Sequence, residues 1–65
     1  MGPEVGKFVT VMPCMAGFMA VLFWYNEEDG GFWEPYETSI PRFLNREAAA
    51  EYGRQWAIAE GCAFR

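Results

Sequence analysis

Phe8-Val9-Thr10-Val11-Met12-Pro13-Cys14-Met15-Ala16-Gly17-Phe18-Met19-Ala20-Val21-Leu22-Phe23-Trp24-Tyr25 is a run of eighteen residues without a charge, and its reading decides the fold. That length sits at the lower edge of what a transmembrane helix needs. Lys7 precedes the run and Glu27, Glu28 and Asp29 follow it, while Trp24 and Tyr25 suit a membrane interface. Against a span stand Pro13 and Gly17 in its middle, and many β-branched and aromatic residues. Divided at Pro13 to Gly17, the run gives two strand-length pieces, Lys7–Met12 and Phe18–Tyr25, rich in Val and Phe as buried strands are. A signal peptide fits poorly, because Glu4 offsets Lys7 and no small-x-small cleavage site follows. Two strands are the favoured reading, and a small membrane-anchored protein with residues 8–25 as its span is the alternative.

Outward from this run, Asn26-Glu27-Glu28-Asp29-Gly30-Gly31 reads as a turn, with glycines for positive φ and charges for a wet tip. Phe32-Trp33-Glu34-Pro35-Tyr36 is the returning strand, and Pro35, lacking an N–H, suits an edge. A tight return sets Tyr25 opposite Phe32, Trp24 opposite Trp33 and Val21 opposite Tyr36. Thr38 to Leu44 connects to a helix from Arg46 to Glu60. Asn45 caps it, Leu44 staples onto Ala49, and Gly61 stops it in the left-handed conformation. At 100° per residue Ala48, Ala49, Tyr52, Trp56 and Ala59 share one face, and Glu47, Glu51, Arg54 and Gln55 the other. Gly53, unfavourable in mid-helix, marks a close backbone approach. Cys62 to Arg65 is a last short strand or a tail. The fold class expected is α+β: a small antiparallel three-stranded sheet packed by one C-terminal helix, with residues 1–65 as a single domain.

The stretch from Val21 to Arg65 resembles a loose group of small proteins common in bacteriophage genomes. The residues that carry the resemblance are Val21-Leu22-Phe23-Trp24, Asp29-Gly30-Gly31, Glu34-Pro35-Tyr36, Arg46-Glu47-Ala48-Ala49, Trp56-Ala57 and Glu60-Gly61. It implies a ββα unit of phage type working in the host cytoplasm. It implies no reaction and transfers no catalytic residue.

Size and charge exclude several classes. Sixty-five residues make one thin core, with roughly 60% of the unfolded surface buried. Nine acidic residues oppose five basic ones, and Lys7, Arg42, Arg46, Arg54 and Arg65 are too scattered to neutralise a nucleic acid backbone. The acids concentrate at Glu27, Glu28, Asp29, Glu34 and Glu37, where no cation intervenes. With no histidine, no CxxC and no phosphate-binding glycine loop, neither cofactor nor metal is expected. Glu27, Glu28 and Asp29 lack the spaced ligands of a calcium loop. Cys14 and Cys62 read as reduced thiols with no base beside them. Glu34, between Phe32 and Tyr36, reads as an edge charge that opposes aggregation. The Met12, Met15 and Met19 group fills a core or a contact. An enzyme is not expected.

What remains is an aromatic surplus. Three Trp, three Tyr and six Phe carry roughly 1,800–3,000 Å² of surface, and one helix covers only one face of a sheet. Some rings must then meet water or a partner, and large apolar patches usually mark interfaces. The residues assigned to that partner surface are Trp24, Trp33, Tyr36 and Phe32, with Glu27, Glu28 and Asp29 at its rim. The function expected is a non-enzymatic protein-binding module, either a homodimer or a modulator of a host protein.

Overall fold

The computed structural model describes residues 6–27 and 30–65. The elements run β1 (Lys7–Cys14), β2 (Gly17–Asn26), β3 (Phe32–Thr38), α1 (Arg46–Glu60) and β4 (Ala63–Phe64). They form one sheet in the order β3-β2-β1-β4, with α1 packed chiefly against β1, β2 and β4. The class is α+β with a C-terminal helix, but the sheet has four strands rather than three and is mixed rather than antiparallel. β4 pairs parallel to β1, Phe8 opposite Ala63 and Val9 opposite Phe64. The helix is the crossover that parallel pairing requires. It carries the chain from β3 back across β2 to the free side of β1.

The uncharged run folds as a hairpin, with Lys7 opposite Trp24 through to Cys14 opposite Gly17. Both strands reach further toward the turn than the sequence suggests, because Pro13 costs the ladder nothing. Its partner Phe18 turns both backbone groups the other way, to Phe43 (N–H to O 2.8 Å, O from N–H 2.9 Å). The missing proline N–H therefore points away from β2. Only Met15 and Ala16 are left to turn, and Ala16 takes φ 75°. A Cβ on Gly17 would land on the Phe43 carbonyl, so glycine is what lets the loop before the helix close on this hairpin.

The β2–β3 register differs from expectation by one residue. Asn26 stands opposite Phe32, Tyr25 opposite Trp33 and Trp24 opposite Glu34; an irregularity at Leu22/Phe23 then brings Val21 opposite Thr38. Between Asn26 and Phe23, before the irregularity, the one-residue shift turns the β3 side chains to the other face relative to β2. Trp24 and Trp33 thus lie on opposite faces instead of side by side. The connection accommodates five residues between Asn26 and Phe32. It closes on Gly31, where a Cβ would strike the Tyr25 hydroxyl.

The helix has the expected limits and caps. Asn45 Oδ1 accepts the Ala48 N–H (2.8 Å), and Gly61 at φ 73° ends the helix, with the Gly61 and Cys62 N–H groups donating to Ile58 and Ala57 carbonyls. Its buried face overlaps the predicted one at Ala49 and, at the margin, Trp56, but is rotated from it. Ala49, Gly53 and Ala57 are buried, whereas Ala48 and Ala59 are exposed and Tyr52 is 39% exposed at the flank against Phe43. A stripe of small residues lets the helix descend onto Val9, Ala20 and Leu22, with Trp56, Cys62 and Phe64 filling the margin. The rings Tyr52 and Trp56 are too thick for that gap and move aside. Leu44 makes no staple; it is 90% exposed. Ser39, the one buried polar residue among those described, ties the end of β3 to β2. Its N–H donates to the Ala20 carbonyl (2.8 Å), and its Oγ accepts the Ala20 N–H (3.1 Å) and donates to the Pro41 carbonyl (2.9 Å).

Candidate protein-docking face

Strand alternation sorts the rings. Val9, Ala20 and Leu22 point to the helix, so Phe8, Phe23 and Tyr25 point to the opposite, uncovered face, and Trp33, paired with Tyr25, joins them. Their contacts form one cluster. Phe8 and Phe23 stack at 5.2 Å between centroids, and Trp33 meets Phe8 edge-on at 4.9 Å and Tyr25 at 5.2 Å. Arg65, following β4, places its guanidinium 4.3 Å from the Phe8 centroid and 5.6 Å from that of Trp33. Tyr25 is 41% and Trp33 39% exposed. No helix or further strand is stacked on these rings among the described residues, although Val21 on the same face is buried.

Trp24 and Tyr36 form a separate pair on the helix side, 4.3 Å apart, beyond the edge of the helix. Glu34 lies with them and accepts hydrogen bonds from Trp24 Nε1 (3.0 Å) and Asn26 Nδ2 (3.2 Å). It is half-buried and paired, rather than the solvated edge charge the sequence suggested. Phe32 and Glu27 are exposed at the two ends of the connecting loop, and Trp24, Tyr25, Asn26 and Glu27 line a shallow hollow of about 420 Å³. Glu28 and Asp29 lie outside the described residues. The residues assigned to one surface therefore divide: Trp33 belongs to the open face, Trp24 and Tyr36 to the other. Sequence reading left out Phe8, Phe23, Tyr25 and Arg65 as members of the surface. The signal for Arg65 was the pairing of the Cys62–Arg65 segment with β1, which no local pattern specifies.

The titratable groups elsewhere are structural. Lys7 Nζ reaches Glu60 Oε1 at 2.9 Å and ties β1 to the end of the helix. The hydrogen bond from Lys7, with its charge, holds the Glu60 carboxyl below its ordinary value, and Glu60 raises Lys7 in return. On the outer helix face Arg54 bridges Glu51 (3.0 Å) and Glu47 (3.3 Å), and its hydrogen bond lowers the Glu51 carboxyl. Burial pushes the Cys62 thiol up, away from thiolate chemistry. Cys14 and Cys62 are not bonded to each other. Cys62 sits by Lys7 at one end of β1 and Cys14 at the other, about 20 Å away at strand rise, beyond disulfide reach. Among the described residues no group of three His, Cys, Asp or Glu side chains converges on a metal-sized site, and no helix is long and apolar enough to cross a membrane. Compared with known proteins, the chain matches no family model, no curated protein and no solved structure.

Proposed function

We propose that the protein is a non-enzymatic protein-binding module that docks a partner on the open face of its sheet, the partner being a host protein or a second copy. The observation that carries this reading is the ring cluster of Phe8, Phe23, Tyr25 and Trp33 on the face opposite the helix. Apolar patches of this kind on small proteins mark interfaces, and Trp and Tyr dominate binding energy there. The edges of the sheet support face docking over strand addition. Beyond the two-residue β4, β1 turns Pro13 outward. On the other side Pro35 pairs with Phe23, whose neighbour Tyr25 donates its N–H toward Gly6 on the β1 side. The odd-numbered residues of β2 thus face β1, and the empty position of Pro35 faces solvent. A proline on each free edge interrupts the ladder an added strand would need.

The ββα arrangement of Val21 to Arg65 and its likeness to small bacteriophage proteins favour a phage-type modulator acting in the host cytoplasm. Glu27 at the rim steers a basic partner at low salt and adds little static affinity. The test is Trp33→Ala, followed by sedimentation and by capture of partners from a bacterial lysate. Association should weaken by about 2 kcal/mol or more while the chain stays folded. A wild type that sediments as a monomer, captures nothing, and loses only stability on Trp33→Ala would reduce the ring cluster to core packing.

A further inference from the structure

We infer that Arg65 is the polar anchor of the open face and that the partner meets it with a carboxylate, set among apolar groups; this rests on the docking reading above. Strand alternation gives this face two charged side chains among the described residues, Arg65 within it and Glu27 at its margin. It places Phe8, Thr10, Phe23, Tyr25 and Trp33 here and Lys7, Glu34 and Glu37 on the helix side. Arg65 is held there at both ends of its backbone. Its N–H donates to the Val9 carbonyl at 2.8 Å, and its main-chain oxygen accepts the Thr10 hydroxyl at 2.8 Å. The guanidinium lies over Phe8 and near Trp33. The ion pairs of the described residues are all elsewhere, Lys7 with Glu60 and Arg54 with Glu47 and Glu51.

Rings attract the charge of a guanidinium but leave its in-plane N–H donors for another acceptor. A carboxylate fits that need in bidentate geometry, and the side-chain order already imposed by the rings lowers the entropy lost on pairing. Arginine beside Trp and Tyr is also the composition of binding hot spots. Glu27 stands exposed just beyond Tyr25, so the face is positive within and negative at its margin. Its complement is a carboxylate with a cation nearby, on an otherwise apolar patch.

Three small probes that share a phenyl ring test this by titration, read at the Trp33 indole N–H and the Tyr25 ring by NMR at low salt. N-acetylphenylalanine carries a carboxylate, N-acetylphenylalaninamide is neutral and phenethylamine is a cation. The carboxylate probe should bind about threefold or more tightly than the amide. Arg65→Gln should erase that difference while leaving the amide's binding in place, and Arg65→Lys should keep part of it. Equal binding of amide and carboxylate, or tightest binding of the cation with a gain on Arg65→Gln, overturns the assignment of Arg65 while the docking face stands. If none of the probes moves either resonance in any variant, the docking reading itself fails, and this inference with it.

Discussion

Gly53 shows how much a single missing Cβ decides. Replacing a mid-helix glycine by alanine ordinarily gains about 1 kcal/mol of helix stability. Here the added carbon would sit 2.7 Å from Cε1 of Phe64 and 3.4 Å from Cγ1 of Val9, inside the layer where helix meets sheet. Gly53→Ala should therefore destabilise, by about 1–3 kcal/mol, as the helix is lifted off β1 and β4. Chemical denaturation measures this, and a stabilised variant would show that the layer is looser than described. Ser39 carries the opposite kind of burden, since it is buried for its hydrogen bonds rather than its shape. Ser39→Ala removes the acceptor of the Ala20 N–H and should cost about 1–3 kcal/mol. Ser39→Thr, which keeps the oxygen, should recover part of that loss. Gly53 was legible from sequence as an anomaly in a helical pattern. Ser39 was not, because only the return of β3 beside Ala20 gives a serine something to bond.

The elements themselves were largely written in local chemistry. Asn45 and Gly61 bound the helix, and Gly30-Gly31 with its acidic neighbours marks the β2–β3 connection, because caps and turns depend on residues close in sequence. Register and rotation were not, since they depend on what lies opposite. A one-residue difference in turn length decided whether Trp24 met Trp33 or Glu34, and the helix turned its small stripe inward only because Val9 and Leu22 already filled the gap. The joint between the helix end and β1 makes a pH prediction. Glu60 is held below its ordinary 4.5, so its contribution is present above that value and is lost as pH falls through its folded-state pKa. Lys7 is raised above 10.5, so its contribution is present below that value and is lost as pH rises through the folded-state pKa. Stability should be flat with respect to this pair between the two limits and fall at both. Lys7→Met should weaken both flanks of the pH profile in denaturant melts, and unchanged flanks would mean that the pair carries no stability.

For the molecule as a whole, 4431 Å² of exposed surface is close to the roughly 4,200 Å² that its mass predicts for a folded monomer, so one thin core is all it holds. That arithmetic, available from composition, already implied that the rings outnumber the places to bury them. Which rings are left over required the topology. β4 delivers Arg65 to the open face, the shifted β3 register sends Trp33 there, and the pairing of β2 with β1 keeps Trp24 on the helix side. The two tryptophans are similarly exposed, 39% and 42%, and each makes ring contacts. Truncating either should lower stability by a similar amount, about 1–3 kcal/mol, which makes them controls for one another. The most direct measurement immobilises wild type, Trp24→Ala and Trp33→Ala side by side and quantifies the bound partner, whether a second copy or a host protein. The account predicts that Trp24→Ala retains the partner nearly as the wild type does, while Trp33→Ala loses it about thirtyfold. Retention by Trp33→Ala with loss by Trp24→Ala would contradict the assignment of the open face.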